Sequence, residues 1–538
     1  MVDVEANARE HTARLIADLG RADAYPYPVD TITLEETHAS LAFLAGDFVY
    51  KVKKPVDYGF LDFSTLERRK FFCEEELRLN RRLTRDVYLE MVPVVEVGGR
   101  LSFHGDGPTR EYAVKMRRLD DNQILGHLVG TNQVDDSVWP RLSQRLTRFY
   151  ADAATGEGID EWGTVAADWH NIEENIDQSQ PYVGTIVAPT QLRMIDQVSR
   201  AFLDNERALL ETRLAAGKVR EGHGDLHLAH ICVEGPQVDD LQIIDCIEFN
   251  PRLRCLDIAV DVAFLSMDLD YHGHPAFARR IVDLLTRDLR DPDLPRLVQF
   301  FSIYRAHVRA KVACFRTDEI APELPEYFAV RNEAERYFDL ATSYIVESRR
   351  PTLFLVGGLS GTGKSVISRR LARSIGAGLV SSDSIRLALA GKTPSTRQTV
   401  DFGTGVYTED FTNRTYEEMF AEAEEQLVTG RSVVLDATFL NPRWRERARE
   451  MAEQLGVDLL LIECQCPPEV ARERLTARAR ELFEASEADW GIYQEQRHRY
   501  GTSFGEAEEL PLLTLQTDRR SGQILDDVLS RIDLRRRI

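Results

Sequence analysis

Residues Gly358 to Ser365 spell G-x-x-x-x-G-K-S, with an apolar run, Thr352 to Val356, before them and a helix-forming run, Val366 to Ile375, after them. That order sets a glycine-rich turn between a strand and a helix. Such a turn can aim backbone N–H groups and the positive helix end at a phosphate. Gly358, Ser360, Gly361, Thr362 and Gly363 line the cradle, Lys364 reaches terminal phosphates, and Ser365 offers a hydroxyl to magnesium. About twenty residues on, the run Leu379 to Ser381 leads into Asp383 and Arg386. A carboxylate at the carboxyl end of a parallel strand can take the proton of an attacking hydroxyl, although Asp383 also suits a helix N-cap. Arg386, one turn later, can hold an acceptor's polar or anionic group. Asp436 closes the run Val433 to Leu435 and provides a second oxygen for magnesium. Arg474 and Arg478, four apart, share a helix face from which they can cover a transferring phosphate; a solvated face is the competing account.

A second constellation lies upstream. His223, Gly224 and Asp225 precede His230 and a hairpin turning at Glu234-Gly235-Pro236, whose second strand leads into Asp245. Two carboxylates at a hairpin's mouth can divide the work of orienting a hydroxyl and ligating a nucleotide's magnesium. In Phe48 to Lys53 the apolar Phe48, Tyr50 and Val52 share one strand face, and Lys51 and Lys53 the other. On the next helical run Glu76 falls on an apolar stripe of Phe72, Leu79 and Leu83, where a carboxylate needs a cationic partner. Either lysine can serve. Glycine cover for phosphates is thin, with only Gly46 between Leu41 and Asp47. His38 and His227 receive no role.

These residues need scaffolds, and the pattern supplies three blocks. Residues 1–120 read as strands with one helix: Leu41 to Lys53 extended, Glu67 to Leu83 helical, Met91 to Phe103 a hairpin turning at Gly98-Gly99. Residues 121–348 are mostly helical, with long periodic segments at Ser137 to Ala154, Leu192 to Ala215, Pro295 to Phe315 and Pro325 to Glu347. Residues 349–538 alternate buried-type strands with helices, the order of a parallel sheet wrapped by helices.

Composition bounds the rest. At 538 residues with 43% hydrophobic and 29% charged side chains, the chain is a multi-domain globular protein rather than a disordered or fibrous one. A formal charge of −21 disfavours general binding of nucleic acid. Against that background, Pro351 to Val400 carries seven basic residues and one acid, Asp383, and suits an anion. Seven cysteines without paired spacing read as reduced thiols, and no apolar run is long enough for a membrane span, so a cytoplasmic protein without membrane partners is expected.

The segment Thr352 to Thr517 resembles P-loop kinases that phosphorylate hydroxyls, namely the kinase domain of phage polynucleotide kinase, zeta toxins, chloramphenicol phosphotransferase and gluconate kinase. The likeness rests on G-x-x-x-x-G-K-S, the D-x-x-R of Asp383 and Arg386, and D-x-T-x-L-N-P from Asp436. It implies that Asp383 is the general base and that Arg474 and Arg478 belong to a lid. Residues 30–345 resemble the aminoglycoside phosphotransferase family, with its protein-kinase-like fold, through H-G-D-x-x-x-x-N, here ending in His230. That likeness implies Asp225 as catalytic aspartate, Asp245 and position 230 as metal contacts, and a lysine–glutamate pair positioning ATP, for which Lys51 with Glu76 is preferred. The whole order is similar to a bacterial two-domain family described as bifunctional aminoglycoside phosphotransferase-like and ATP-binding. The expected fold is therefore α/β and α+β: a two-lobed kinase-like half and a P-loop parallel-sheet half. The expected activity is ATP- and magnesium-dependent phosphorylation of a small-molecule hydroxyl, of a sugar, aminosugar or nucleoside kind. A polynucleotide 5′-hydroxyl kinase and a nucleotide-gated regulator are the alternatives.

Overall fold

A computed structural model describes residues 2–59, 61–347, 351–390, 408–478, 490–500, 504 and 511–534. The chain packs as two compact units, one formed by Met1–His170 with Leu203–Arg305, the other by Asn171–Phe202 with Ala306–Ile538.

The first unit opens with a helix, Val2–Leu19, and a six-stranded antiparallel sheet: β1 Ile32–Glu36, β2 Ser40–Ala45, β3 Phe48–Lys53, β4 Tyr88–Val97, β5 Arg100–Ser102 and β6 Thr109–Arg117. The spatial order is β1-β2-β3-β6-β4-β5. Gly98 and Gly99 both take positive φ, 58° and 81°, as a two-residue hairpin turn requires. One face of the sheet, with Phe43, Tyr50 and Val52, buries against Leu15 and Leu19 of the first helix. The helix Leu66–Asn80 lies against β4 and β6. Of the expected stripe, Glu76, Leu79 and Leu83 are buried and Phe72 is only partly so; Arg69, Cys73, Leu77 and Asn80 go inside as well. Burial of these polar groups is tolerated because each of the polar three has a partner: Arg69 donates to Glu111 at 2.8 Å, Asn80 accepts from the Cys246 N–H at 2.9 Å, and Glu76 takes a lysine.

Past Arg117 the unit turns helical, around two short antiparallel ribbons. Strands β7 Val219–Glu221, β8 Ile231–Val233, β9 Leu241–Ile243 and β10 Cys255–Asp257 pair as β7 with β10 and β8 with β9. The helix Ile258–Tyr271 is buried from Ile258 through Leu269, Asp261 and Asp268 included. The expected single helix Leu192 to Ala215 is broken at Glu206 into Pro189–Asn205 and Arg207–Ala215.

The second unit carries a parallel sheet of β11 Thr352–Gly357, β12 Gly378–Ser381, β13 Val433–Asp436, β14 Asp458–Gln465 and β15 Leu512–Gln516, in the order β12-β13-β11-β14-β15. All six residues of β11 are buried, as expected of a central strand covered on both faces. This unit begins ahead of residue 349, because the helix Pro325–Glu347 shares a polar knot with the first helix of the sheet half. Asp339, 2% exposed, accepts from Arg373 Nε and Ser374 Oγ, both at 2.5 Å, and from Gln191 Nε2 at 3.0 Å.

Candidate active site

The P-loop site is built where β11, β12 and β13 end. Gly358, Gly361 and Gly363 hold φ of 129°, 79° and 87°, angles that side-chain-bearing residues rarely adopt. At Gly358 a Cβ would also lie 2.4 Å from the Cys464 carbonyl oxygen. The helix Lys364–Ser374 starts at once after Gly363, so its unpaired N–H groups face the loop. Ser360 donates its N–H to Gln496 Oε1 at 2.9 Å, and Thr362 Oγ1 donates to Leu359 O at 2.8 Å. Lys364 Nζ lies 2.8 Å from Leu359 O.

Asp436 is 5% exposed and hydrogen-bonded with Ser365. Burial raises its pKa, while Lys364 and the Ser365 hydrogen bond pull the other way. A hydroxyl and a carboxylate, oxygen donors both, thus meet beside the loop, a set that fits magnesium. Asp383 and Arg386 occupy the first turns of the helix Ser382–Leu389, directly after β12, and are joined by a 3.2 Å hydrogen bond. Both act electrostatically on Tyr416, and Asp383 acts on Asp436, so the two carboxylates share one locale. Arg474 binds Thr517 Oγ1 at 3.1 Å and Thr517 O at 2.6 Å, and a Cβ at Gly363 would lie 3.2 Å from its guanidinium. Thr517 in turn donates to Thr362 O at 2.6 Å, tying the end of β15 to the loop. Arg478 ends the helix Pro468–Arg478, and its side chain lies outside the described residues.

The kinase-like site lies wholly within the first unit. Lys51 Nζ is 2.6 Å from Asp245 Oδ1 and 2.9 Å from Glu76 Oε1. Lys53 pairs with Glu76 Oε2 at 2.7 Å and with Glu248. Both lysines therefore reach Glu76, but Lys53 is 1% exposed and Lys51 keeps 17% of its side-chain surface beside Asp245. Partial enclosure in the cleft works against the Asp245 carboxylate, yet Lys51 and then His230 hold its pKa below the ordinary value. Its backbone sits at φ 63° and its N–H bonds the Tyr88 hydroxyl at 3.1 Å. Asp225 stands 3.5 Å from His227 Nε2 and 3.6 Å from His230 Nδ1, and His230 Nε2 is 3.7 Å from Asp245. His230 thus lies between the two carboxylates. Burial, then His227, keeps it below the usual imidazole pKa. Two imidazoles beside Asp225 make a poor magnesium set, since magnesium prefers oxygen.

Sequence reasoning passed over three contributors to this site. Asp261 accepts the N–H groups of His223 and Gly224 at 2.7 and 2.8 Å, and Asp268 accepts that of Leu228 at 2.9 Å. Their signal was two acids seven residues apart in the mostly apolar run Ile258 to Leu269. His227 was the third, and its signal was the spacing D-x-H-x-x-H from Asp225 to His230.

The sheet orders and loop define a two-lobed kinase-like half of α+β type and a P-loop nucleotide-binding half of α/β type. A family profile described as an AAA domain matches residues 353–502. An uncharacterized protein of Mycobacterium tuberculosis, Rv2004c, is 32% identical over 473 residues, covering 86% of this chain and 89% of that one. The chain belongs to the same family as that mycobacterial protein. Among solved structures, a choline/ethanolamine kinase family protein from Mesorhizobium loti is 11% identical with a TM-score of 0.34, covering 61% of this chain and 99% of that chain. The Mycobacterium tuberculosis APS kinase, solved with AMPPNP and APS, is 21% identical with a TM-score of 0.25, over 34% of this chain and 98% of that chain. The fold class here follows from the sheet orders themselves. Among the described residues no helix is long and apolar enough to cross a membrane.

Proposed function

We propose that the protein is an ATP- and magnesium-dependent phosphotransferase whose P-loop half transfers the γ-phosphate to a hydroxyl of a small molecule of the sugar, aminosugar or nucleoside kind. The observation that carries this is the placing of Asp383 and Arg386 directly after β12, in the same locale as Asp436, Ser365 and Lys364. In this reading the loop amides and Lys364 hold the β and γ phosphates, and Ser365 and Asp436 would hold magnesium, which supplies charge neutralisation when bound. Asp383 takes the acceptor's proton while Arg386 orients the acceptor. Arg474 stands by the loop to offset charge that develops in the transfer. The formal charge of −21 speaks for a metabolite over a polynucleotide.

The kinase-like half, with two histidines crowding Asp225, favours nucleotide recognition over turnover at that site. The test is labelled-phosphate transfer from ATP across amino sugars, sugars, nucleosides and 5′-hydroxyl oligonucleotides, comparing wild type with Lys364→Ala, Asp383→Ala and Asp225→Ala. Loss of transfer in the first two variants alone is the expected result. Loss of all transfer only in Asp225→Ala would move the chemistry to the other half, and nucleotide binding without any labelled acceptor would favour a regulator.

A further inference from the structure

The peptide group between Leu359 and Ser360 is held from both of its sides. It is trans, so its carbonyl and its N–H point in opposite directions. The Leu359 carbonyl oxygen accepts from Lys364 Nζ and from Thr362 Oγ1, both at 2.8 Å. The Ser360 N–H donates to Gln496 Oε1 at 2.9 Å. That amide is thus committed to a side chain rather than offered to a phosphate.

Gln496 belongs to the helix Trp490–Tyr500, far along the chain. Ile492, Tyr493 and Gln496 are 6%, 3% and 7% exposed and share one face, being three and four residues apart. Gln496 is the amide on that face, and an amide goes inside only where a partner meets it. The same helix and the helix Pro468–Arg478 wall the outer side of the loop. Leu359 packs with Ala471, Leu475 and Tyr493. At Gly361 a Cβ would lie 2.9 Å from Leu475 Cγ and 3.1 Å from the Ala471 carbonyl oxygen. Tyr493 is steadied in turn by Trp490, on which it stacks at 4.7 Å. The positions on either side of Ser360 are therefore gripped, which fixes the geometry of the Gln496 contact.

An ammonium has three N–H donors. Lys364 can keep the Leu359 carbonyl with one and reach a phosphate with another, so the carbonyl sets where the ammonium stands. Without Gln496 the Ser360 N–H is buried and lacks this acceptor, a costly state that a turn of the peptide plane relieves. That turn carries the carbonyl away from Lys364. Phosphoryl transfer depends on positioning, so the error passes through the ammonium to the phosphates.

We propose that Gln496 is a positioning residue for the P-loop half: through the Leu359–Ser360 peptide it holds the carbonyl that seats the Lys364 ammonium for the nucleotide's phosphates. The inference rests on the reading of the loop as a nucleotide site and adds to it a residue from a distant helix. Gln496 itself touches no phosphate and acts through a backbone group.

The experiment measures half-saturation of the full chain by a photoreactive ATP analogue. Only label mapped to residues 351–538 is counted, so nucleotide in the kinase-like half is not read. Gln496→Met keeps the length and loses the acceptor. Gln496→Asn keeps the amide and loses the reach, a milder change should the first variant not fold. With melting checked first, each is expected to bind about tenfold more weakly. Lys364→Ala should also weaken labelling. The double variant Lys364→Ala/Gln496→Met should then be no more than about threefold weaker than Lys364→Ala alone, because Gln496 has lost the group it serves. Wild-type labelling in the folded Gln496 variants would overturn the inference. So would losses that multiply to about a hundredfold in the double variant, the mark of a contact that steadies the loop without acting through Lys364. Lys364→Ala labelled as well as wild type would instead overturn the P-loop reading beneath it.

Discussion

Lys53 and Lys51 sit two residues apart on β3 and touch the same glutamate, yet their replacement by methionine should have unequal consequences. Lys53 is 1% exposed and lies between Glu76, 0% exposed, and Glu248, 6% exposed. Lys53→Met keeps the packing over Phe63, where the ammonium lies 4.8 Å from the ring centroid, but leaves Glu248 without its cation. Breaking a buried pair from one side costs about 3–5 kcal/mol. Lys51→Met instead strips a lysine from Asp245, whose side chain is 42% exposed and can take water, while Glu76 retains Lys53. That loss should be about 1 kcal/mol. Hydrogen exchange of the full chain separates the cases, because local opening of β3 and β4 reports the stability of this lobe without requiring two-state unfolding. At about 1.4 kcal/mol per factor of ten, Lys53→Met should speed the slowest amides by about two to three and a half powers of ten, and Lys51→Met by tenfold or less. Adding Glu248→Leu to Lys53→Met should recover at least half the loss, since removing both charges relieves the stranded one. Equal acceleration in the two single variants, or a larger one in Lys51→Met, would refute the division into a structural Lys53 and a ligand-facing Lys51.

Other consequences are open to simple measurement. Thr517→Val removes the hydroxyl that bonds Thr362 O and accepts from Arg474, and should lower nucleotide affinity at the P-loop about tenfold, the value of one net hydrogen bond; titration with a fluorescent ATP analogue reads this, and unchanged affinity would count against it. His307, buried against Phe338 with Nε2 2.9 Å from Ser179 Oγ and Lys311 nearby, is pushed down to about 3 by burial. Because the unfolded imidazole protonates first, its contribution is whole above pH 6.5 and lost as pH falls toward 3, about 2 kcal/mol by pH 5. His307→Gln should flatten the fall in melting temperature between pH 7 and 5, and an unaltered slope would exclude His307 as its source. Asp339→Ala removes the acceptor shared by Arg373, Ser374 and Gln191, of which Arg373 keeps Glu335 and Gln191 keeps Thr342, and should cost the second unit about 1–3 kcal/mol, seen as faster exchange in the helix Lys364–Ser374; exchange at the wild-type rate would show that the knot carries little.

What could be read in advance was what local backbone demands. The phosphate loop announces itself because a strand, three left-handed glycines and a helix start are contiguous, and the turn at Gly98-Gly99 follows from the same need for positive φ. The helix Pro325–Glu347 has the bounds its periodicity predicts. Strand alternation put Lys51 and Lys53 on one face, but depth separates them, and depth depends on Glu248, nearly two hundred residues away. The stripe on Leu66–Asn80 placed Glu76 and Leu79 inward as they are, but Arg69 and Asn80 join them there, satisfied by Glu111 and Cys246, partners invisible to a hydropathy pattern. The order β12-β13-β11-β14-β15 likewise arises from pairings between distant segments. His227 goes without a role in the sequence because a histidine acquires meaning only beside its neighbours.

The second unit is discontinuous in the chain, and this constrains biosynthesis. Residues 171–202 leave the ribosome well before Asp339 and Thr342, to which Gln191 finally donates its hydrogen bonds. At about 5–20 residues per second, roughly ten to thirty seconds separate their synthesis. During that interval a nascent helix bearing Leu192, Met194 and Ile195, all interior in the finished protein, lacks the greater part of its own unit. Translation rate and chaperone supply should therefore govern the yield of this protein more than they would for one whose units follow each other end to end.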